Sequence, residues 1–252
     1  MIPIDLTGRT ALVTGATGEL GRVMVRTLAR AGADVAIHYH SNQSKADELA
    51  AECQGLGRNA VAVQADITSK DSIEAMRDAV CAALGTPDII VNNAVIQYSW
   101  TTVLEQAEAD YEGQFRSSVM QNVLMAQAFV PAMKTKGWGR VIGINTECTM
   151  QCWPGQSAYT SGKAGMDRVL RVLAREIGAD GITVNQIAPG WMLSENRTAE
   201  GTPQSYLDKV AMGRRGDDQE IANAVIFLAS ELAGFITGVY LPVCGGGVMP
   251  GI

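Results

Sequence analysis

The fold is decided by residues 11–21, which read Ala-Leu-Val-Thr-Gly-Ala-Thr-Gly-Glu-Leu-Gly. The apolar run at the start is typical of a buried strand, and three glycines stand where that strand turns into a helix. This is the arrangement of a dinucleotide-binding loop. Gly15 permits the tight turn, Gly18 lets the backbone approach a pyrophosphate, and Gly21 lets helix and strand pack closely. The alternative is a strand-to-helix turn that binds no ligand.

Apolar runs alternate with helical patterns along the rest of the chain, as in sheets whose parallel strands are joined by helices. Strands are predicted at 9–14, 34–39, 60–64, 88–92, 139–145, 182–187 and 238–243. Helices are predicted at 19–31, 43–56, 69–84, 108–135, 157–178, 203–212 and 217–230. No repeat or linker divides the chain. The sequence therefore predicts an α/β fold, with one domain over residues 1–252 and a doubly wound parallel sheet of about seven strands.

Composition excludes several classes of function. The 252 residues are 47% hydrophobic and 18% charged, which is typical of a folded globular protein, and the net charge of -6 disfavours nucleic acid as a partner. No apolar run reaches membrane-spanning length, and the N-terminus lacks a signal-peptide pattern, so we expect a cytoplasmic protein without a membrane partner. The 5 cysteines are scattered and odd in number, which favours free thiols and predicts no metal site.

A tyrosine and a lysine stand four residues apart at Tyr159 and Lys163, inside a predicted helix. At this spacing the two side chains share one face of the helix. A free phenol has a pKa of about 10, and a neighbouring ammonium group lowers it. We therefore expect the phenol to exchange a proton with a substrate oxygen near neutral pH. The alternative is a surface aromatic residue beside a solvated charge.

The order of these motifs resembles the short-chain dehydrogenase/reductase family over nearly the whole chain. The glycine loop comes first, then Asn92-Asn93-Ala94, then the Tyr-x-x-x-Lys pair, then Pro189-Gly190. The chain is similar to the members that act as 3-oxoacyl-ACP reductases or as sugar or alcohol dehydrogenases. The resemblance implies a Rossmann-type domain, hydride transfer between NAD(P) and a ketone or secondary alcohol (EC 1.1.1.-), and a homotetramer or homodimer.

The resemblance also assigns catalytic roles. Tyr159 is the proton donor or acceptor, and Lys163 lowers its pKa and holds the nicotinamide ribose. Thr146 takes the place of the family's catalytic serine and orients the substrate oxygen, since its hydroxyl has the same hydrogen-bonding capacity. Ser118 stands where the family has an asparagine that maintains a proton relay, and Asn122 is one turn further on.

The cofactor residues implied by the resemblance lie at the ends of several predicted strands. An NAD site needs an acidic residue roughly 20 residues past the glycine loop, and none is present, so NADP is favoured over NAD. The chain departs from the common family pattern at Glu19, Val95 and Cys244. Beyond Tyr159 and Lys163, the expected cofactor contacts are Gly15, Thr17, Gly18, Glu19, Leu20, Gly21, His40, Ser41, Asn42, Asp66, Ile67, Asn93, Ala94, Pro189, Gly190, Met192 and Ser194.

The sequence leaves the substrate open. Residues 191–213, here called the lid segment, are polar and contain glycine and proline, which is typical of a mobile substrate lid. Thr146, Glu147, Trp153 and Trp191 are the expected substrate contacts. Glu147 either binds a cationic or hydroxyl-rich small molecule or is a solvated loop carboxylate. Two other functions stay open: a cofactor-binding protein with little turnover, and a reductase of a C=N or C=C bond.

Overall fold

A parallel sheet of seven strands forms the centre of the computed structural model, which describes residues 4–195 and 197–250. The strands are β1 (Thr10–Val13), β2 (Asp34–Tyr39), β3 (Ala60–Gln64), β4 (Ile89–Asn92), β5 (Gly139–Ile144), β6 (Ile182–Pro189) and β7 (Tyr240–Val243). Their order across the sheet is β3-β2-β1-β4-β5-β6-β7. The order reverses between β1 and β4, and a crevice opens at such a switch point. The predicted doubly wound α/β fold is confirmed.

Helices cover both faces of the sheet. They are α1 (Glu19–Arg30), α2 (Gln43–Gly55), α3 (Lys70–Leu84), α4 (Glu108–Gln114), α5 (Gln121–Lys136), α6 (Cys148–Gln151), α7 (Ser157–Ile177), α8 (Gln204–Leu207) and α9 (Asp218–Ala229). Short 3₁₀ turns lie at Gly178–Asp180 and Glu231–Ala233. Among the described residues, no helix is both long and apolar enough to span a membrane.

Two apolar cores form because successive residues of a strand point to opposite faces of the sheet. Ala11 and Val13 of β1 pack with α1, α2 and α9, whereas Leu12 packs on the other face with α3, α5 and α7. The helix α7 approaches the sheet closely at Gly143 of β5, where an added Cβ would lie 2.4 Å from the Cε of Met166. This contact fixes the position of α7 relative to the end of β5.

The helix predicted at 108–135 is interrupted, which corrects that prediction. A π-helix at Phe115–Met120 separates α4 from α5. It buries Ser117, Ser118 and Val119, and single-turn π-helices inside longer helices often occur at functional sites. The α7 helix presses on this point, since a Cβ added at Gly162 would lie 2.8 Å from the carbonyl oxygen of Gln114.

The prediction of a helix at 203–212 is also wrong over most of that range. Only Gln204–Leu207 is helical, and the N–H groups of Lys209 and Val210 form turns with carbonyls three residues earlier. Val210 is the one fully buried side chain of the predicted segment. A helix this short needs an apolar face packed on the core, and this segment does not provide one.

Candidate active site

The glycine loop between β1 and α1 is closely packed. Gly15 has a φ of 63°, and a Cβ at this position would lie 2.9 Å from the Cα of Ala94. A Cβ at Gly21 would lie 2.3 Å from the carbonyl oxygen of Gly15. Gly18 precedes the first turn of α1, and no side chain caps that turn. The first N–H groups of α1 therefore remain available to an anion, and the loop fits a pyrophosphate.

A buried histidine holds this loop against the sheet. Nδ1 of His38 accepts a hydrogen bond from the backbone N–H of Gly15 at 2.9 Å, and Nε2 lies 3.0 Å from the carbonyl oxygen of Ala65. Because Nδ1 accepts, the proton is on Nε2, which donates to Ala65. Burial lowers the pKa of His38, which favours this neutral form. The sequence analysis does not identify His38, and its position in an apolar strand is the one signal in the sequence that points to it.

A second network joins the loop to the end of β4. The hydroxyl of Thr14 accepts from the backbone N–H groups of Asn93 and Ala94 and donates to the side-chain oxygen of Gln121 at 2.9 Å. The side-chain amide of Asn93 donates to the carbonyl oxygens of Thr14 and Gly15. The sequence analysis missed Thr14 and Gln121, whose partners lie about 80 and about 107 residues away along the chain.

A crevice of about 750 Å³ opens at the switch point. It is lined by most of the residues expected to contact a cofactor: Gly15, Thr17, Gly18, Glu19, Leu20, Gly21, His40, Ser41, Asp66, Ile67, Asn93 and Ala94. Asn42 is not among the lining residues, since its side chain caps α2 by accepting from the N–H of Lys45. The carboxylate of Asp66 accepts from the backbone and hydroxyl of Thr68.

Ion pairs connect the first turns of α1 with the lid segment. Arg197 donates to the carboxylate of Glu19 at 2.8 Å, and Glu195 pairs with Arg26 at 2.5 Å and with Arg22 at 3.4 Å. Hydrogen bonding from Ser194, and then from Arg197, lowers the pKa of Glu19. The negative charge of Glu19, next to the proposed phosphate site, is therefore balanced by Arg197 of the lid segment.

Tyr159 and Lys163 lie on one face of α7, as predicted. The Lys163 ammonium nitrogen is 5.9 Å from the centre of the Tyr159 ring and donates to the carbonyl oxygen of Ile144 at 2.6 Å. Burial raises the pKa of the Tyr159 phenol and lowers the pKa of Lys163 to about 8. The expected lowering of the phenol pKa by Lys163 is wrong for this structure, because removal from water disfavours both charges.

Thr146 reaches Tyr159 from the end of β5. Its hydroxyl accepts from the backbone N–H of Cys148 at 3.2 Å, and its backbone N–H donates to the side chain of Asn145. A hydrogen bond with this hydroxyl opposes the rise in the pKa of Tyr159. The backbone N–H of Tyr159 donates to the hydroxyl of Tyr98 at 2.7 Å, and Tyr98 is a positioning contact that the sequence analysis missed.

The two candidates for the proton relay differ in their contacts. The side chain of Asn122 is fully engaged, accepting from Asn92 at 2.7 Å and donating to the carbonyl oxygen of Ser118 at 2.7 Å. The hydroxyl of Ser118 is buried in the π-helix and has no partner among the described residues. Ser118 is thus the candidate with a hydroxyl available for a water molecule.

A cavity of about 440 Å³, here called the aromatic cavity, lies beside the crevice and shares Ile96 and Gln97 with it. Trp191 packs edge-on against Tyr206 in its wall, and Trp100 stacks on the ring of Tyr159 at 5.8 Å. The cavity is lined by Ile96, Gln97, Tyr98, Trp100, Thr146, Glu147, Cys148, Gln151, Trp153, Gln156, Tyr159, Pro189, Gly190, Trp191 and Tyr206.

Glu147 is buried in the wall of the aromatic cavity with 3% of its surface exposed, so the interpretation as a solvated loop carboxylate is wrong. Burial raises the pKa of Glu147. Hydrogen bonds from the side chains of Gln151 and Cys244 and from the backbone of Trp191 act in the opposite direction and lower this pKa. Glycines make room for Glu147, since a Cβ at Gly247 would lie 2.7 Å from its Oε2. The position is therefore built around a carboxyl group.

The remaining residues expected to contact the cofactor lie at the end of β6 and just after it. Pro189 and Gly190 line the aromatic cavity, not the crevice, and Met192 lines a smaller neighbouring cavity. Ser194 lies between two acidic side chains and lowers the pKa of both Glu19 and Asp218 by hydrogen bonding. Burial nevertheless raises the pKa of Asp218 to about 6.

Comparisons with known proteins agree with this geometry. A family model described as Enoyl-(Acyl carrier protein) reductase matches residues 15–247. The 3-oxoacyl-[acyl-carrier-protein] reductase FabG of Staphylococcus epidermidis is 32% identical over 240 residues, which cover 94% of this chain and 98% of that protein.

Solved structures share the whole fold. A short-chain dehydrogenase/reductase mutant of Serratia marcescens is 30% identical with a TM-score of 0.89, covering 98% of this chain and 99% of that one. A blue fluorescent protein from a metagenomic library, in complex with NADPH, is 31% identical with a TM-score of 0.90, covering 97% and 100%. A xylitol dehydrogenase bound to NAD+ is 26% identical with a TM-score of 0.88, covering 96% and 99%.

Proposed function

The chain belongs to the short-chain dehydrogenase/reductase family, and we propose that it reduces a ketone to a secondary alcohol with NADPH, with Tyr159 as the proton donor. The observation that carries the proposal is the position of the Tyr159 phenol in the aromatic cavity, next to the Thr146 hydroxyl and beside the glycine-lined crevice. The cofactor supplies the hydride when it is bound.

The protonation of Tyr159 supports its role as the proton donor in reduction. Burial raises the pKa of the phenol, so the phenol keeps its proton at neutral pH and can give it to a substrate oxygen. The Thr146 hydroxyl can donate a second hydrogen bond to the same oxygen and stabilise its developing charge. Ser118, whose buried hydroxyl is unpartnered, is proposed to hold a water molecule that returns a proton. Oxidation of the alcohol would first require the phenol to lose its proton.

The choice of NADPH rests on the crevice and on one relative. Where an NAD site has an acidic residue at the end of the second strand, this crevice has His40 and Ser41. Arg22 on α1 pairs with Glu195 at 3.4 Å and would have to leave that partner to offer positive charge to a 2′-phosphate. The blue fluorescent protein is bound to NADPH, whereas the xylitol dehydrogenase is bound to NAD+. Tighter binding of NADH than of NADPH in a fluorescence titration would overturn the choice.

The lid segment is proposed to cover the aromatic cavity. Trp191 and Tyr206 belong to it and form part of the cavity wall, and the hydroxyl of Tyr206 accepts from the backbone of Trp191 at 3.0 Å. The ion pairs of Glu195 and Arg197 with α1 hold the segment near the crevice. Closure of the lid would exclude water from the reacting groups.

Assembly into a homodimer or homotetramer is proposed from exposed apolar side chains. Phe115 and Val172 are each about half exposed on neighbouring helices, and Phe235 is fully exposed on another side of the molecule. Apolar groups of this size are unfavourable in water unless a partner covers them. Light scattering after gel filtration measures the mass, and a monomer at micromolar concentration would contradict the proposal.

NADPH oxidation with a panel of ketones tests the proposed function. The wild type is expected to exceed the Tyr159→Phe variant by about 10²–10⁴-fold in kcat, the usual contribution of a positioned proton donor. Equal background rates in both proteins would favour a cofactor-binding protein with little turnover. A panel of imines and conjugated alkenes distinguishes reduction of C=N or C=C bonds from reduction of ketones.

A further inference from the structure

The aromatic cavity carries one charged side chain and several ring faces. Of the lining residues, Glu147 alone is charged, and no lining residue is a lysine or an arginine. Three of the lining tryptophans are well exposed: Trp100 by 51%, Trp153 by 43% and Trp191 by 46%. Rings left exposed around a concave surface are available to a ligand.

Two acceptor atoms of this cavity lack donors. The Oε2 atom of Glu147 and the Oε1 atom of Gln156 are both buried and have no hydrogen-bond partner among the described residues. Buried polar atoms are normally hydrogen-bonded, so these two wall residues have accepting capacity that the described residues leave unused. A ligand group that offers only lone pairs would leave both atoms without a donor.

A protonated amine meets these requirements. It presents N–H donors and no acceptor, and its positive charge compensates the buried carboxylate. The faces of tryptophan and tyrosine rings attract cations. Lys209 lies 3.8 Å from the ring centre of Trp153 and Arg215 lies 4.2 Å from that of Trp191, so each of these two rings already carries one protein cation, and a ligand cation would use the ring faces that remain open.

We propose that the aromatic cavity selects ketones that carry a protonated amine, and that Glu147 is the residue that pairs with the ammonium group. The inference rests on the proposed ketone reduction and adds the substrate class to it. Burial raises the pKa of Glu147, and a bound cation would lower it. The carboxyl group then takes no part in the proton transfer, which remains with Tyr159.

Three ketones of nearly equal shape test the proposal. They are 4-(dimethylamino)cyclohexanone, which is protonated at pH 7, its neutral isostere 4-isopropylcyclohexanone, and the anionic 4-oxocyclohexanecarboxylate. The charge is remote from the carbonyl group in each, so the intrinsic reactivity of the ketone changes little. The assay measures kcat/KM with NADPH for the wild type, for Glu147→Gln, and for Glu48→Gln, which removes the same charge from an exposed position of α2.

For the wild type we expect the order cationic, neutral, anionic. In Glu147→Gln the ratio of cationic to neutral kcat/KM should fall by about 30-fold, the loss when one member of a buried charge pair is removed. Any effect on the fold or on cofactor binding changes both ketones and cancels in this ratio. Glu48→Gln should keep the wild-type ratio, and thermal unfolding with an NADPH titration verifies that each variant is folded.

Several outcomes would overturn the inference. If the wild type has equal kcat/KM values for the neutral and the cationic ketone, the proposed substrate class is wrong but the proposed ketone reduction stands. The same holds if the anionic ketone is preferred, or if Glu147→Gln and Glu48→Gln change the ratio equally. If Glu147→Gln does not fold, the order of the three ketones in the wild type decides. If the wild type oxidises NADPH with none of them, and with no other ketone, both proposals fall.

Discussion

The role of His38 leads to a prediction that separates its two hydrogen bonds. The imidazole joins the N–H of Gly15 in the glycine loop to the carbonyl oxygen of Ala65 after β3. In His38→Leu both groups lose their partner without a large change in volume. An unsatisfied buried backbone group costs about 1–3 kcal/mol. Ala65 is buried and Gly15 half-buried, so we expect the free energy of unfolding to fall by about 2–4 kcal/mol.

Two further substitutions divide this cost. The side-chain oxygen of an asparagine lies near the position of Nδ1, so His38→Asn keeps the acceptor for Gly15 and loses the bond to Ala65. The amide nitrogen of a glutamine lies near Nε2, so His38→Gln keeps the bond to Ala65 and frees the glycine loop. Both variants should lose about 1–2 kcal/mol in urea unfolding. Only His38→Gln and His38→Leu should weaken NADPH binding.

The same contact predicts a dependence on pH. Burial lowers the pKa of His38 below its ordinary value of about 6.5, so below that pH the unfolded chain binds the extra proton. Stability from this group is present above about pH 6.5 and declines as the pH falls. Urea unfolding at pH 7.5 and pH 5.5 should show a smaller decline for His38→Asn than for the wild type. Equal NADPH affinity in all three variants, or equal declines with pH, would refute the reasoning.

Other predictions concern the loop, a buried acid and the lid segment. Gly21→Ala places a Cβ 2.3 Å from the carbonyl oxygen of Gly15, so it should lower stability by about 1–3 kcal/mol. The control Gly113→Ala places a Cβ with nothing within 4 Å of it, so it should be neutral or stabilising. Similar unfolding curves for both would contradict the packing argument. Asp218→Asn should raise the free energy of unfolding at pH 7 by up to about 3 kcal/mol. Burial raises the pKa of Asp218 from 3.8 to about 6, so ionisation of this side chain above pH 6 costs the folded state free energy. A gain in stability that persists at pH 3 would point to another cause. Arg197→Gln breaks an exposed ion pair, so it should change stability by less than about 1 kcal/mol. Because this pair holds the lid segment to α1, we expect the KM for the ketone to rise about two- to fivefold at low salt. An unchanged KM would argue against a lid.

The parts of the structure that follow from local pattern were predictable from the sequence. The alternation of apolar runs and helical periodicity determines the order of strands and helices. Gly15 and Gly21 are required by the backbone geometry of one seven-residue stretch, so the loop could also be predicted from the sequence. The Tyr-x-x-x-Lys spacing predicted that Tyr159 and Lys163 lie on one face of α7, because residues four apart share a helix face.

The parts that depend on distant contacts were not predictable. The ammonium group of Lys163 bonds to a strand carbonyl, at Ile144, that no spacing rule connects with it. The burial of Glu147 requires room at Gly247, about 100 residues away. The π-helix in the predicted helix 108–135 forms where α7 presses on it, and the ion pair of Glu19 with Arg197 reaches across the crevice. Such features arise from tertiary packing, which overrides local propensity.

Transfer of deuterium from NADPH labelled at both C4 positions tests the central claim most directly. The measurement is mass spectrometry of the alcohol formed from a ketone that the wild type reduces. The account predicts one deuterium on the carbinol carbon with the wild type and almost no labelled product in the same time with Tyr159→Phe. Equal labelling by both proteins, or an alcohol without deuterium on that carbon, would contradict it.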